Sequence, residues 1–167
     1  LSDQLLQLAR ASQQNRAGVL PLLAVDLVAE VCEPLRWEYE WFDDIQITWL
    51  LPEKAYCVAS APLLQIALKN LLDNARKYAG VHPSVTVQIL AENRYWVLQV
   101  TDGGSGVAPE VLSQLTERFF RADQVQAGYG VGLSMVKRIA HLHQAQLQLT
   151  NLPHASLQVS LSLLKQE

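Results

Sequence analysis

One stretch, Asn70-Leu71-Leu72-Asp73-Asn74-Ala75-Arg76-Lys77-Tyr78, does most to limit what this chain can fold into, because its pattern fits a helix with two unlike faces. On a helical wheel Asn70, Asn74 and Lys77 share a narrow polar stripe, and Leu64, Leu68, Leu71, Leu72 and Ala75 fall on the opposite side. Asn costs a helix about half a kcal/mol relative to Ala. Two of them on one stripe therefore suggest a purpose beyond helix formation. One reading is a solvated polar face. The other is a face that offers carboxamide oxygens to Mg²⁺ and an ammonium group to phosphate.

The surrounding chain supplies alternating helices and strands. From Val25 the apolar residues recur three or four apart through Phe42, which predicts a helix kinked or split at Pro34. The period-two run from Trp37 to Trp41 offers a strand as the competing reading. Ile45 to Leu51 and Ala55 to Val58 predict a strand, a turn and a short strand. Ser60 is placed to cap the central helix, with Pro62 in its first turn. Val85 to Ala91 and Tyr95 to Thr101 predict two strands joined at Glu92-Asn93-Arg94, and a short helix is expected from about Pro109 to Leu115. A helix from Gly132 to about His143 and a closing hairpin, Gln146 to Asn151 with Ser156 to Leu163, complete the pattern. The expected fold class is α+β, a two-layer α/β sandwich with helices on one face of a mixed sheet.

Composition narrows the function. With 167 residues, half of them apolar and 17% charged, the chain has the makings of one sizeable core. A net charge of −3 gives no electrostatic case for nucleic acid as a partner. Cys32 and Cys57 lack metal-ligand spacing and read as small apolar residues in a reducing compartment. No apolar run approaches the ~20 residues of a membrane span. The chain starts at Leu1 without Met and reads as a piece of a longer protein, so an upstream membrane anchor stays open. Leu1, Leu5 and Leu8 share a stripe that suits the last turns of an amphipathic helix, and Gln13 to Gly18 reads as a linker.

Six of the eight glycines form two clusters. Asp102-Gly103-Gly104-Ser105-Gly106-Val107 ends an apolar strand on a carboxylate beside a freely bending backbone. Such a carboxylate could accept a hydrogen bond from the exocyclic amine of adenine; an ordinary β-turn is the alternative. Gly128-Tyr129-Gly130-Val131-Gly132-Leu133-Ser134 lets the backbone approach a ligand and then opens a helix, whose free N–H groups suit a phosphate. A flexible turn is the other reading. The spacing matches neither the Walker nor the dinucleotide-binding pattern.

Taken together with Glu117-Arg118-Phe119-Phe120-Arg121-Ala122-Asp123, these stretches resemble, in order, the N, G1, F and G2 boxes of sensor histidine kinases. The resemblance runs from about Val25 to Leu163 and implies the Bergerat ATP-binding fold shared with type II topoisomerases. It implies residues 15–167 as an ATP-binding catalytic domain, and residues 1–14 as the end of a dimerisation and phosphoacceptor helix with its linker. Asn74 would coordinate Mg²⁺, Asn70 would support metal or phosphates, Lys77 would contact phosphate, and Tyr78 would line the site. Asp102 would recognise adenine in a pocket shaped by Gly104, Gly106 and Val107. Gly128, Gly130, Val131, Gly132 and Leu133 would form the phosphate-side hinge of the ATP lid. Phe119 and Phe120 would anchor the lid's other end, and Arg121 could reach the γ-phosphate or stay solvated. The lid, Arg121 to Ala127, is short, and Ser105 stands where the family often has Pro.

Relatives that hydrolyse ATP carry a glutamate base where this chain has Asn70, and an amide cannot take that proton. The resemblance therefore implies transfer to a histidine outside this chain, because His82, His141, His143 and His154 lack the family's phosphoacceptor context and read as structural or solvent-facing. It also implies a response regulator as partner, a homodimeric parent, and a location on the cytoplasmic side of a bacterial inner membrane. A serine kinase of the anti-sigma type and a nucleotide-binding module that never transfers phosphate are the alternatives.

Overall fold

The computed structural model describes residue 6 and residues 22–78, 83–103, 129–152 and 156–166. Leu64, Leu68 and Leu72 recur every four residues and are wholly buried, which sets the orientation of the central helix. Seven strands and three helices are described. In chain order they are β1 (Leu23–Asp26), α1, β2 (Gln46–Leu50), β3 (Tyr56–Ala59), α2 (Ala61–Tyr78), β4 (Ser84–Glu92), β5 (Tyr95–Asp102), α3 (Tyr129–Leu142), β6 (Gln146–Leu152) and β7 (Ser156–Leu164). Helix α1 opens as a wide π-helical turn, Leu27–Cys32, and continues as regular α-helix, Glu33–Tyr39.

Five strands form one mixed sheet in the order β2-β4-β5-β7-β6, with β2 parallel to β4 and every other pair antiparallel. Strands β1 and β3 pair separately. The two sheets are tied where the Gln166 amide and the Trp96 indole both donate to the Tyr56 carbonyl, at 3.0 and 3.1 Å. Alternation along the strands separates two sides. Val85, Val87 and Ile89, Leu98 and Val100, and Leu161 and Leu163 enter one core with the apolar sides of α1, α2 and α3. The opposite side carries uncharged polar side chains, among them Gln99, which donates to Ser160 at 3.2 Å, and Thr101, which donates to Gln158 at 3.2 Å.

Local sequence accounts for the joins. Leu63 N–H approaches Ser60 Oγ at 3.5 Å, so Ser60 caps α2 as its type suggests. Asn93, with φ of 51°, takes the left-handed corner of the β4–β5 hairpin, a conformation Asn tolerates better than most residues. Pro34 has no N–H for the carbonyl four residues back, that of Glu30. The turn before it widens, and the Gln65 carboxamide on α2 donates to the Glu30 oxygen at 2.6 Å.

Two sequence expectations are corrected and one pair of competing readings is resolved. The helix expected from Val25 starts at Leu27, because Leu23–Asp26 pairs with β3 and Asp26 caps the helix, accepting from Val28 N–H at 3.1 Å. Of the two readings for Trp37 to Trp41 the helix holds as far as Tyr39, with exposed Trp37 before it and exposed Trp41 just beyond the end of α1. The helix expected from Gly132 starts at Tyr129, which places Gly130 and Gly132 inside its first turn. The expected helix near Pro109, the amphipathic stretch from Leu1 apart from residue 6, and the lid lie outside the described residues. Cys32 and Cys57 are free and fully buried, and desolvation pushes both thiols up to about 12.

Candidate nucleotide site

Asn70 and Asn74 are drawn in from open solvent: α2 packs against α3, and both lie on the sheet. Asn70 is half-buried, its amide donating to the Ile66 carbonyl one turn back at 2.8 Å and approaching Met135 Sδ of α3 at 3.3 Å. Asn74, one turn on, is 8% exposed, and its side-chain nitrogen has no hydrogen-bond partner among the described residues. A buried amide nitrogen left without an acceptor costs about 1–3 kcal/mol. A ligand would remove that cost, the NH₂ by donating to a phosphate oxygen or, after a half-turn of the amide, the carbonyl by ligating a cation. Asn74 therefore fits a magnesium-bound phosphate group. Lys77 and Tyr78 occupy the last turn of α2.

Asp102 ends β5 opposite Val85, and by strand alternation it belongs with Val100 and Leu98 on the helix-bearing side of the sheet. The Leu157 amide lies 3.5 Å from Asp102 Oδ1, and the Gly103 amide donates to the Ser84 carbonyl at 2.9 Å, so the strand end is fixed at the start of the first glycine cluster. Leu133 is buried at the start of α3, whose first turn also contains Gly130, Val131 and Gly132. Of these residues, Asn70 meets α3, through Met135; Asn74 lies one turn further along α2, Leu133 is buried in the first turns of α3, and Asp102 ends β5. Gly104, Gly106, Val107, Phe119, Phe120, Arg121 and Gly128 lie outside the described residues.

Sequence reading missed what holds α2 from behind. Asp73, between the two asparagines, accepts a hydrogen bond from the Tyr39 hydroxyl of α1, and burial followed by this bond raises the Tyr39 phenol above its ordinary value. Arg76 forms a two-pronged ion pair with Asp44, at 3.0 and 2.7 Å, and lies 4.1 Å over the Phe42 ring. Asp73 and Arg76 are three residues apart and so share a side of the helix, a signal already present in the sequence. Their partners, more than thirty residues away, were not.

His143 joins α3 to the start of α2. Its Nδ1–H donates to the Ile139 carbonyl at 2.8 Å, and its Nε2 accepts from the Ser60 amide at 3.0 Å. That arrangement requires the neutral ring, and burial lowers its pKa from the ordinary 6.5, against the opposing effect of the Ile139 carbonyl. The folded state therefore binds this proton less readily than the unfolded chain. Its contribution to stability is complete above about pH 6.5 and is lost as pH falls through 6.5 towards the depressed folded value. Denaturant melts at pH 7.5 and pH 5 are expected to show a larger acid loss in the parent chain than in His143→Gln, which has nothing to titrate there. Equal losses would show that His143 is not held neutral.

Comparison with known proteins supplies the family. Residues 59–167 match the family described as histidine kinase-, DNA gyrase B-, and HSP90-like ATPase. The chain belongs to this ATPase family. Among its curated relatives, Sensor protein BasS of Salmonella typhimurium is 38% identical over 153 residues, covering 89% of this chain and 42% of the relative. Sensor protein QseC of Escherichia coli K12 is 33% identical over 165 residues, covering 97% of this chain and 36% of the relative. The chain thus spans about two fifths of the length of the relatives it matches. Among solved structures, the mycobacterial sensor histidine kinase MprB superposes with a TM-score of 0.74 at 23% identity, over 87% of this chain and 98% of that one. The ATP-binding domain of PrrB from Mycobacterium tuberculosis gives 0.72 at 21%, over 88% and 99%. At those identities the likeness establishes the fold alone, a two-layer α/β sandwich as expected.

Proposed function

We propose that this ATPase-family domain is the catalytic, ATP-binding part of a two-component sensor histidine kinase. The reading rests on membership of the family together with relatives that are named sensor proteins. The observation that carries it is Asn74, a buried carboxamide whose nitrogen has no partner among the described residues. Asn74, supported by Asn70, would hold Mg²⁺, and the metal would supply charge neutralisation at the phosphates. Lys77 would add a positive charge there, and Tyr78 would line the site. Asp102 would accept the adenine amine. Gly130, Val131, Gly132 and Leu133 would bring the first turn of α3, with its free N–H groups, to the phosphates. Gly104, Gly106, Val107, Phe119, Phe120, Arg121 and Gly128 complete the proposed nucleotide-binding set.

Asn70 supports transfer over hydrolysis. Its amide donates to Ile66, and a carboxamide has no basic oxygen that could take a proton from water. What remains for this domain is positioning and electrostatics. The acceptor would be a histidine on the parent's dimerisation domain, to which residues 1–14 lead, with a response regulator as next recipient and a homodimeric parent. No described helix is long and apolar enough to cross a membrane. An anchor at a bacterial inner membrane, with this domain on the cytoplasmic side, would belong to the rest of the parent.

The test is phosphoryl transfer with labelled ATP. The chain alone is expected to accumulate no acid-labile phosphate, and adding the parent's dimerisation segment is expected to give label on that segment. Stable acid-labile phosphate on this chain alone, or none on the added segment, would overturn the assignment.

A further inference from the structure

A groove of about 530 Å³ opens between α1 and β2, lined by none of the proposed nucleotide-site residues. Its size falls in the range of ligand-binding clefts. Trp37, Phe42, Ile47 and Trp49 line it together with Glu33, Arg36 and Glu40, so its lining mixes aromatic and charged side chains. Trp37 is 67% exposed, and Trp41, four residues on, is 78% exposed. Large aromatic rings left in water at the end of a short helix are a common mark of binding hot spots.

Charge adds a direction. Residues 33–44 contain five carboxylates and one guanidinium, so this segment is more acidic than the whole chain, whose net charge is −3. Three of the five are engaged: Glu33 with Arg36, Glu38 with Lys69 and Asp44 with Arg76. Glu40 lines the groove, and no ion pair reaches it among the described residues. The third feature is the strand. Strand β2 pairs with β4 on one side and with no described strand on the other, while Gln46, Thr48 and Leu50 are exposed along it. An open sheet edge beside a helix accepts an added strand, whose backbone supplies hydrogen bonds and whose alternate side chains enter the groove.

We propose that this groove binds an extended, basic segment of a partner protein. Its apolar side chains would lie on Trp49 and Ile47, and its lysine or arginine side chains would meet Glu40 and the face of Trp37. The site is distinct from the nucleotide site, so its test is independent of the kinase assignment.

The probe is a fluorescein-labelled octapeptide of alternating lysine and valine, titrated into the full chain, with a glutamate-for-lysine peptide as control. Saturable binding is expected for the basic peptide alone, weakened about tenfold by Trp37→Ala, as for an aromatic anchor, and comparably by Glu40→Lys. Both positions are exposed, and unchanged ATP binding would confirm that each variant is folded. If Trp37→Ala does not fold, Glu40→Lys carries the test alone. Absence of saturable binding, equal binding of the acidic peptide, or indifference to the substitutions would overturn the proposal. So would equal occupancy by tetramethylammonium, or a self-associated chain that Trp37→Ala dissociates, since each assigns the groove a different occupant.

Discussion

Leu72→Ala is expected to lower the unfolding free energy by about 2–5 kcal/mol, the range for emptying a packed leucine site. Leu72 has no exposed surface and lies in one core with Leu64, Leu68 and the sheet residues Val85 and Val87. Small domains are stable by only about 5–15 kcal/mol, so the loss is a large fraction of the total. Urea melts measure it, with Leu50→Ala as control: Leu50 is 50% exposed and its truncation should cost no more than about 0.5 kcal/mol. A loss at Leu72 as small as that at Leu50 would mean that the apolar side of α2 does not hold the core. The same helix carries Asn70 and Asn74. Saturating ATP is therefore expected to restore part of the lost stability through binding to the folded state.

The second large effect concerns base recognition. Asp102→Ala is expected to weaken ATP binding by about 10- to 100-fold, the value of a hydrogen bond to a charged group. It should also erase any preference for ATP over GTP, because guanine presents a carbonyl oxygen where adenine presents the amine. Competition titrations against a fluorescent ATP analogue read both quantities. Asp102 also lies 3.5 Å from the Leu157 amide, so the melting temperature of the variant must accompany the measurement. Unchanged affinity and selectivity in a folded variant would remove Asp102 from the site.

Where periodicity was long, the fold was legible. Eighteen residues of α2 and the two hairpins β4–β5 and β6–β7 follow directly from repeats of 3.6 and 2. Short pieces were not, for a physical reason. The four residues of β1 merge into the apolar spacing of α1, and only their pairing with β3, some thirty residues on, makes them a strand. Trp37 and Trp41 alternate with Tyr39 as a strand would, yet the chain is helical there, with Tyr39 drawn inward to Asp73. Asn70, Asn74 and Asp102 stood out as site candidates because four motifs occur in order, whereas the packing of Met135 against Asn70 gave no sequence signal. That contact spans sixty-five residues and turns an apparent solvent face into an interior one.

The most direct test of the account is Asn74→Ala, studied by calorimetric titration of ATP with and without Mg²⁺. The substitution removes a buried nitrogen that has no hydrogen-bond partner among the described residues, so the folded chain should be as stable as before or more so. In the parent chain Mg²⁺ should tighten ATP binding, and in Asn74→Ala that gain should disappear while the metal-free affinity stays close to the parent's. Undiminished binding of Mg-ATP by Asn74→Ala would contradict the account.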